Sequence, residues 1–332
     1  LNALTSTQVQ ALSSTQVQAL TTAQLSTVSS TQLENLSSAQ VRVLTTAQLN
    51  GLDDVNLQAL GSADMQALTT VQVSALTSAQ VNKLSTGAEG QLAALTTVQA
   101  QSLTTSQLNG LSAEGLGSLT TAVVRALTTG QVEKLAVDQL NLLSSDQVQA
   151  LSSSQVRALT TAQVAGMVEG QIEYLSSAQV QALTTAQFNA LGEAAVQAMG
   201  TADVQALTST QIGSMGTSDV NELSTDQVQA LTTAQIRALT SSQLNGMADA
   251  TVQALTSTEL QALTTAQAQS LTAAMLNKLT TDQVGMLNST TVTALNTTAL
   301  STLVVEQLNA LTSTQVQALS STQVQALTTA QL

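Results

Sequence analysis

Residues 175–188 read LSSAQVQALTTAQF, which is nearly two copies of one eight-residue unit. The unit consists of an anchor leucine, two Ser or Thr residues, a variable residue, Gln, Val or Leu, a polar residue and Ala. This unit, here called the octad, fills the chain from Leu4 to Leu327, with Met in place of the anchor leucine at a few positions. A fixed short period predicts a repeat architecture.

The first half of the octad has the residues of a helix start. Thr5 is in the position of an N-cap residue, and Gln8 follows three residues later, in the position of its capping-box partner. Leu4 and Val9 then occupy the two positions of a hydrophobic staple. Because octad after octad has these residues, the sequence predicts that a new helix begins after nearly every anchor.

The charged residues are distributed as short helices require. Acids are favourable in the first turn of a helix and bases in its last turn. All seven Lys and Arg residues lie six or seven residues after an anchor, and most of the twenty acids lie one to four residues after an anchor. Strands predict no such separation, so the charges favour helices.

One continuous helix is disfavoured, because eight residues at about 100° each would rotate the apolar stripe by roughly 80° per octad. We therefore expect a helix of one to two turns, a bend at the anchor, and then the next helix. Helices this short are unstable alone, so each one must be covered by its neighbours. The predicted fold is all-α: a solenoid of short helices, one per octad, with Leu, Val and Ala in a narrow core.

A β-solenoid is the alternative fold. Thr and Val favour strands, and the pairs Asn50-Gly51, Asn109-Gly110 and Asn245-Gly246 are possible hairpin turns. All three pairs come directly before an anchor, where a glycine with a permissive backbone would equally end a helix. The apolar positions of the octad do not alternate strictly, so we favour the helical fold.

The period of eight is interrupted once. Anchors recur every eighth residue from Leu4 to Leu92 and then resume at Leu95, a step of three residues. Gly87 and Gly90 lie beside this break, near residues 85–94, which indicates a loop or a kink. A purposeful bend or a docking point is the alternative interpretation.

A longer period is also present, because residues 308–332 repeat residues 1–25 letter for letter. The offset of 307 residues is a whole number of octads plus the three inserted residues. We predict that residues 1–332 form a single solenoid and that the octads belong to a larger tandem block. The chain opens inside an octad at Leu1, so we expect it to be part of a longer protein.

Four anchor methionines are separated by multiples of sixteen residues, which would suit a turn of two octads: Met167, Met199, Met215 and Met247.

Composition argues against several classes of function. The chain has no Cys and no His, so it has no disulfide or thiol nucleophile and lacks the commonest general base and metal ligand. A net charge of −13 repels nucleic acids and anionic lipids, and no apolar run is long enough to span a membrane. We therefore expect no enzyme activity, no cofactor, no nucleic-acid partner and no membrane insertion.

No residue is predicted to be catalytic, cofactor-binding or metal-binding. Asp53 and Asp54 are the only adjacent acids, but their surroundings fit no calcium-binding loop. Their positions are those of a helix N-cap and a first helical residue, so we interpret them as capping residues. Tyr174 and Phe188 are isolated and form no stacking surface.

Octads of the form L-[ST]-[ST]-x-Q-[VL]-x-A, such as LSSTQVQA at residues 12–19, resemble segments of very large repetitive surface and secreted proteins of Gram-negative bacteria, including adhesin-like ones. The resemblance implies a cell-surface or extracellular location and a scaffolding role. Our leading hypothesis is a structural protein that forms an extended fibre, stalk or sheath, with identical chains associating into a homopolymer. The alternative is an adhesin-like module that binds polysaccharide, ice or another surface through repeated Thr and Ser faces, which a flat row of Thr pairs on one side would favour.

Overall fold

The structure, a computed structural model, describes every residue from Leu1 to Leu332. It contains 39 helices and no strand. The helices are short, four residues in α10 and six in α8, and one follows nearly every anchor. The predicted all-α solenoid of short helices is therefore confirmed, and the β-solenoid alternative is wrong.

The helices form two units, Leu1–Met167 and Val168–Leu332, which are described separately. A single solenoid over residues 1–332 stays a prediction. The helices of the first unit are α1 (Ser6–Gln10), α2 (Ser14–Gln18), α3 (Thr22–Ser26), α4 (Ser30–Glu34), α5 (Ser38–Arg42), α6 (Thr46–Asn50), α7 (Asp54–Gln58), α8 (Ser62–Ala67), α9 (Thr70–Ala75), α10 (Ser78–Val81), α11 (Thr97–Ser102), α12 (Thr105–Asn109), α13 (Ala113–Gly117), α14 (Thr121–Ala126), α15 (Thr129–Glu133), α16 (Val137–Asn141), α17 (Ser145–Ala150), α18 (Ser153–Ala158) and α19 (Thr161–Ala165).

The second unit has the same kind of organisation. Its helices are α20 (Glu169–Glu173), α21 (Ser177–Ala182), α22 (Thr185–Phe188), α23 (Glu193–Ala198), α24 (Thr201–Ala206), α25 (Ser209–Ser214), α26 (Thr217–Asn221), α27 (Thr225–Gln229), α28 (Thr233–Ala238), α29 (Ser241–Gly246), α30 (Asp249–Ala254), α31 (Ser257–Ala262), α32 (Thr265–Ser270), α33 (Ala273–Leu276), α34 (Thr281–Met286), α35 (Ser289–Ala294), α36 (Thr297–Ser301), α37 (Val305–Asn309), α38 (Ser313–Ala318) and α39 (Ser321–Ala326).

Most helices begin with the predicted capping box. At α1, the N–H of Gln8 donates to Oγ1 of Thr5, and the N–H of Thr5 donates to Oε1 of Gln8 at 2.8 Å. The predicted charge distribution is also present, with Asp146 in the first turn of α17 and Arg157 in the last turn of α18. Most octads thus satisfy free N–H groups of their own helix with local side chains.

The chain bends at the anchors. Leu68, which follows α8, has φ −57° and ψ 138°, so the backbone leaves the helical region for one extended residue before the next N-cap. Because this bend needs no left-handed residue, it is compatible with leucine at nearly every anchor.

The glycines before the anchors do not end helices by a left-handed backbone, which corrects the sequence interpretation. Gly51 and Gly110 have φ −85° and −90°. They are needed instead for close packing, because a Cβ on Gly51 would lie 3.3 Å from Cβ of Thr22. On Gly246 a Cβ would lie 2.5 Å from Cγ2 of Thr217, so these positions bring neighbouring turns of the solenoid together.

A helix typically packs on the helix three positions further along the chain. α5 packs on α8 and α11 on α14 in the first unit, and α25 packs on α28 in the second. α5 begins at Ser38 and α8 at Ser62, so one turn of the solenoid takes 24 residues, or three octads. Each such turn is called a coil below, and each unit has three faces. The two-octad turn suggested by the spacing of the anchor methionines is wrong.

The core of each unit is narrow and almost purely aliphatic. Leu44, an anchor, and Leu49, at the Val or Leu position of the same octad, are 4% and 0% exposed. Phe188 occupies the equivalent Val or Leu position of its octad and is buried, whereas Tyr174 is 37% exposed. Two apolar side chains per octad therefore form the core, and small residues cover it.

The break in register forms a loop between α10 and α11. The N–H of Ser85 donates to Oε1 of Gln91 at 3.0 Å, and the N–H of Gln91 donates to Oγ of Ser85 at 2.9 Å. This is a capping box in which the two residues are six apart, where Thr5 and Gln8 are three apart. The three additional residues are thus confined to the loop.

The loop depends on its two glycines. Gly87 has φ +87°, the left-handed region that favours glycine, and a Cβ on Gly90 would lie 2.5 Å from the carbonyl oxygen of Ser85. Leu92 follows Gln91, is fully buried and occupies the Val or Leu position of its octad. The assignment of Leu92 as an anchor is therefore wrong, and Leu95 is the anchor that follows Leu84.

Candidate functional site

The glutamine that closes each capping box also joins neighbouring coils. Gln40 is 4% exposed, and its Oε1 accepts the N–H of Ser37 at 2.9 Å. Its Nε2 donates to the carbonyl oxygens of Val9 at 2.8 Å and Leu12 at 2.9 Å, in the preceding coil. The side-chain amide therefore satisfies one N–H of its own helix and two carbonyls where the preceding coil bends.

These bonds recur along both units, with sequence separations of 31 and 28 residues away from the loop, and together they are called the amide ladder. Gln147 binds the carbonyls of Leu116 and Leu119 in the same way, and Gln235 binds those of Val204 and Leu207. Buried polar groups are costly unless they are hydrogen-bonded, so the ladder fixes the register of each coil on the one before it.

Sequence reasoning missed the amide ladder, although the octad contains a signal for it. A capping box accepts Glu as readily as Gln, yet this chain has Gln at the position in most octads and Glu only at position 259. Only the amide carries the N–H₂ donor that the preceding coil requires. The strong preference for Gln over Glu therefore indicates a second hydrogen-bond partner.

The amide ladder continues across the loop. Gln99 donates to the carbonyls of Met65 and Leu68, which are 34 and 31 residues away. Each separation is three residues longer than elsewhere, which equals the insertion. By Gln131 the separations have returned to 31 and 28 residues. The loop is therefore left out of the coil and does not disturb the stacking.

Asparagines at the polar position of the octad form a second link between coils. Asn109 donates from Nδ2 to the carbonyl of Lys134 at 3.0 Å and accepts the N–H of Ala136 at 2.9 Å. Asn245 makes the same pair of bonds to Ser270 and Thr272. The side chain thus accepts the N–H of an N-cap residue in the next coil, the bond that a capping-box glutamine such as Gln8 makes within its own octad.

One face of the first unit carries a continuous row of threonine pairs. Successive octads lie on the three different faces of the coil, so this row is made by one octad from each coil. α3, α6, α9, α11 and α14 stack on one another in that order. Each begins with Thr, Thr and then Ala or Val, and this set of fifteen residues is called the threonine column: residues 21–23, 45–47, 69–71, 96–98 and 120–122.

The threonine column is open to solvent and evenly spaced. Val71 and Val98, on adjacent coils, are 66% and 62% exposed, and Thr97 beside them is exposed. Packed helices lie about 8–10 Å apart, so the column repeats hydroxyl and methyl groups at roughly that distance. The second unit has a comparable face, on which Thr208 and Thr232 begin the stacked helices α25 and α28.

The two adjacent acids lie at the start of a helix. Asp53 caps α7 by accepting the N–H of Asn56 at 2.8 Å, and Asp54 is the first residue of that helix, as the sequence predicts. Asp54 also forms an exposed ion pair with Lys83 at 3.4 Å. The structure contains no group of three or more acids that could hold a metal ion.

One carboxyl pair has a perturbed proton affinity. A hydrogen bond with Glu222 and the charge of the same residue raise the pKa of Glu193 above its ordinary value. Gln197 also donates to the Glu222 carboxylate at 2.8 Å. Glu193 and Gln197 are exposed and Glu222 is half-buried, so the pair lies at the surface.

One surface depression of the second unit has the chemistry of the general surface. A cavity of about 410 Å³ in the second unit is open to solvent and has no titratable side chain; its lining is Thr265, Gln269, Ser289, Thr290, Thr293 and Ala294. None of the helices has the length and apolar character needed to cross a bilayer.

Comparison with known proteins identifies the repeat itself. A family model described as ALTTAQ repeat matches residues 55–87, 134–169, 185–217, 196–233 and 220–257. No curated protein matches the chain. The recurring matches confirm that the chain is a repeat protein. The narrower likeness to surface proteins of Gram-negative bacteria stays a prediction.

Proposed function

We propose that this repeat protein is a structural protein whose stacked coils form an extended fibre, stalk or sheath component outside the cell or at its surface. The observation that carries the proposal is the amide ladder. Gln147 and Gln235, in different units, bind their preceding coils through the same two backbone positions. Each coil therefore offers backbone carbonyls to the next coil in the same way as the preceding coil offers them to it.

With such a ladder, a solenoid can be lengthened by adding coils, and no specialised core is needed. Stability in a solenoid is approximately a sum of nearest-neighbour contributions, so coils are added without redesigning the rest. The bonds are to backbone carbonyls, which makes them tolerant of substitutions at the surface positions. A repeat protein with these properties suits a mechanical or spacing role.

The proposal gives the protein no catalytic role and no cofactor, and its proposed partner is another copy of itself. Twenty acids against seven bases give the surface a net negative charge, which disfavours nucleic acids and anionic lipids. The extracellular location rests on the resemblance of the octads to surface proteins.

Electron microscopy of the purified chain in negative stain tests this function. We expect narrow, elongated particles of uniform width, because every coil has the same three-octad cross-section. Compact particles of similar length and width would contradict a fibre or stalk role.

A second candidate function is binding to a regular surface such as a polysaccharide or ice, and the threonine column favours it. Five consecutive coils present Thr-Thr pairs on one face, together with the exposed methyl groups of Val71 and Val98. An evenly repeated row of hydroxyl and methyl groups suits a ligand that is itself periodic.

Paired substitutions test this candidate. Val71→Lys with Val98→Lys places two charges in the threonine column without removing a hydrogen bond. Gly130→Lys with Ser154→Lys is the matched control on α15 and α18, which stack on another face. We expect the first pair alone to abolish thermal hysteresis or co-sedimentation with insoluble polysaccharide. Absence of both activities in the wild-type chain would remove this candidate.

A further inference from the structure

Two arginines border the threonine column and have no neutralising partner. Arg42 is in the last turn of α5 and Arg125 in the last turn of α14; both are exposed, and neither side chain takes part in an ion pair or a hydrogen bond. Arg125 lies four residues after Thr121, so the two share one face of α14. It is the only charged residue in the five helices that carry the column. The column therefore has free positive charge beside it and no acid in its helices.

Arg42 lines a cavity at the side of the threonine column. The cavity has a volume of about 270 Å³, and its lining includes Arg42, Gln66, Thr69, Thr70, Thr96 and Val98. Pockets that enclose a small ligand typically have about 300–1,000 Å³. Because this cavity is slightly smaller, it suits one part of a longer ligand whose remainder lies along the column, where Val71 and Val98 are exposed.

No acid compensates the charge of Arg42. Asp64, in the helix α8 that packs on α5, is buried, and its Oδ1 accepts the hydroxyl of Ser38 at 2.9 Å. Glu89 lines a separate depression that shares only Gln66 with the cavity. The first unit has five of the seven bases of the chain but only nine of its twenty acids. The column thus belongs to the less acidic unit, and exposed charges beyond about 10 Å are largely screened by salt.

The groups along the column specify the chemistry of a ligand. The planar guanidinium of arginine binds a carboxylate through two parallel hydrogen bonds. Threonine hydroxyls donate and accept hydrogen bonds, as sugar hydroxyls do, and valine methyl groups contact the apolar face of a sugar ring. Two cations over five coils suit a polymer with sparse charges. A nucleic acid, with one phosphate per nucleotide, needs a denser row of bases.

We propose that the threonine column binds an extended polysaccharide that carries carboxylates on its sugar rings, with Arg42 and Arg125 each binding one carboxylate. The proposal rests on the second candidate function above and adds to it the class of ligand and the residues that select it. The surface has no aromatic platform, so each contact is weak and the affinity comes from many contacts along one polymer.

The test uses the full chain and two matched double variants. Arg42→Gln with Arg125→Gln removes both guanidinium groups beside the column. Lys134→Gln with Arg157→Gln removes the same net charge from exposed positions at the ends of α15 and α18, which stack on another face. Circular dichroism checks that both variants keep the helical content of the wild type.

Surface plasmon resonance on immobilised polygalacturonate in calcium-free buffer gives the outcome, with immobilised dextran as the neutral comparison. We expect the wild type to prefer polygalacturonate, and the preference to fall as salt is raised. The Arg42→Gln, Arg125→Gln variant should bind polygalacturonate about tenfold more weakly, because two exposed charge pairs are lost, whereas the Lys134→Gln, Arg157→Gln variant should stay close to the wild type.

No preference of the wild type for polygalacturonate, or equal weakening in both variants, would overturn the proposal. Binding to dextran or thermal hysteresis would in that case leave the second candidate function standing. Absence of binding to either polymer together with absence of thermal hysteresis would remove that candidate as well.

Discussion

Glutamine at the third helical position combines two roles that no other side chain of this octad could fill. Its Oε1 accepts the N–H of the N-cap residue, as a glutamate oxygen would, and its Nε2 donates to the preceding coil, as a glutamate cannot. The capping role was predictable because Thr5 and Gln8 are only three residues apart. The second role was not, since the partners of Gln40 are backbone carbonyls about a coil away, which have no side-chain signature.

Glu259 provides a natural test of this division of roles. It is 3% exposed and keeps the capping bond to Thr256, but it supplies no donor to the carbonyls of Val228 and Leu231. We expect Glu259→Gln to raise the free energy of unfolding by about 1–2 kcal/mol, because two bonds form and a buried carboxylate is removed. The reverse change, Gln235→Glu, should lower it by about 1–3 kcal/mol. Urea denaturation followed by circular dichroism measures both.

The exposed Gln253 is the control for these two variants. Gln253→Glu changes the charge on the same unit without touching the amide ladder, so its free energy of unfolding should stay close to that of the wild type. A Glu259→Gln variant that is less stable than the wild type would show that the amide is not the group this position requires.

The Glu193–Glu222 pair predicts a dependence of stability on pH. Hydrogen bonding and charge repulsion raise the pKa of Glu193 above its ordinary 4.5, so the folded protein binds this proton more tightly than the unfolded chain does. The associated stability is present below pH 4.5 and is lost as pH rises through the raised pKa. We expect Glu193→Gln to unfold at a higher temperature than the wild type at neutral pH, and the difference to shrink towards acid pH.

Thermal denaturation at a series of pH values measures this difference. Glu306→Gln, at another exposed acid of the second unit, is the control, and its difference from the wild type should show no comparable change with pH. A Glu193→Gln variant that loses its advantage as pH rises would contradict the assignment.

At the scale of elements, the unit of construction is one short helix with its own start signal. Sequence patterns predicted these helices because N-caps, capping partners and end charges all lie within one octad. The loop was predicted as an irregularity, but the role of Leu92 was assigned wrongly. Its neighbours in sequence fit both an anchor and a core position, and only the bonds of Gln91 to Leu57 and Leu60 fix its place in the coil.

Deletion of residues 86–88 should convert the loop into an ordinary octad. The remaining letters read LSEGQLAA before Leu95, with Ser85 and Gln91 three residues apart, as a normal capping box requires. We expect the variant to fold with slightly higher helical content and with a free energy of unfolding within about 1 kcal/mol of the wild type, because the amide ladder already excludes these residues.

Deletion of residues 129–131 is the control for the loop deletion. It also removes three residues, but it takes Gln131 and its bonds to Ala100 and Leu103 out of a regular octad. Circular dichroism and urea denaturation should show a clear loss of stability for this variant alone. Equal damage from both deletions would contradict the exclusion of the loop from the coil.

At the scale of the whole molecule, the number of octads per coil was the property that sequence reasoning did not predict. Helix–helix stacking brings together residues that are a full coil apart in sequence. Because the octads are so similar, the sequence does not show which octad packs on which. A signal was nevertheless present, because Thr-Thr followed by Ala or Val recurs at 21, 45 and 69, every third octad. The Met anchors suggested two octads because the core accepts Leu and Met equally, so Met carries no information about the face.

The most direct measurement for this account is a disulfide cross-link between neighbouring coils, which the absence of cysteine in the chain makes unambiguous. A Cβ at position 51 would lie 3.3 Å from Cβ of Thr22, close to the separation that a disulfide requires. A coil of three octads predicts rapid and nearly complete oxidation of Thr22→Cys with Gly51→Cys, seen by mass spectrometry. Thr22→Cys with Val43→Cys, the pair that a two-octad turn would bring together, should remain reduced. Preferential oxidation of the 22–43 pair, or none in the 22–51 pair, would contradict the three-octad coil.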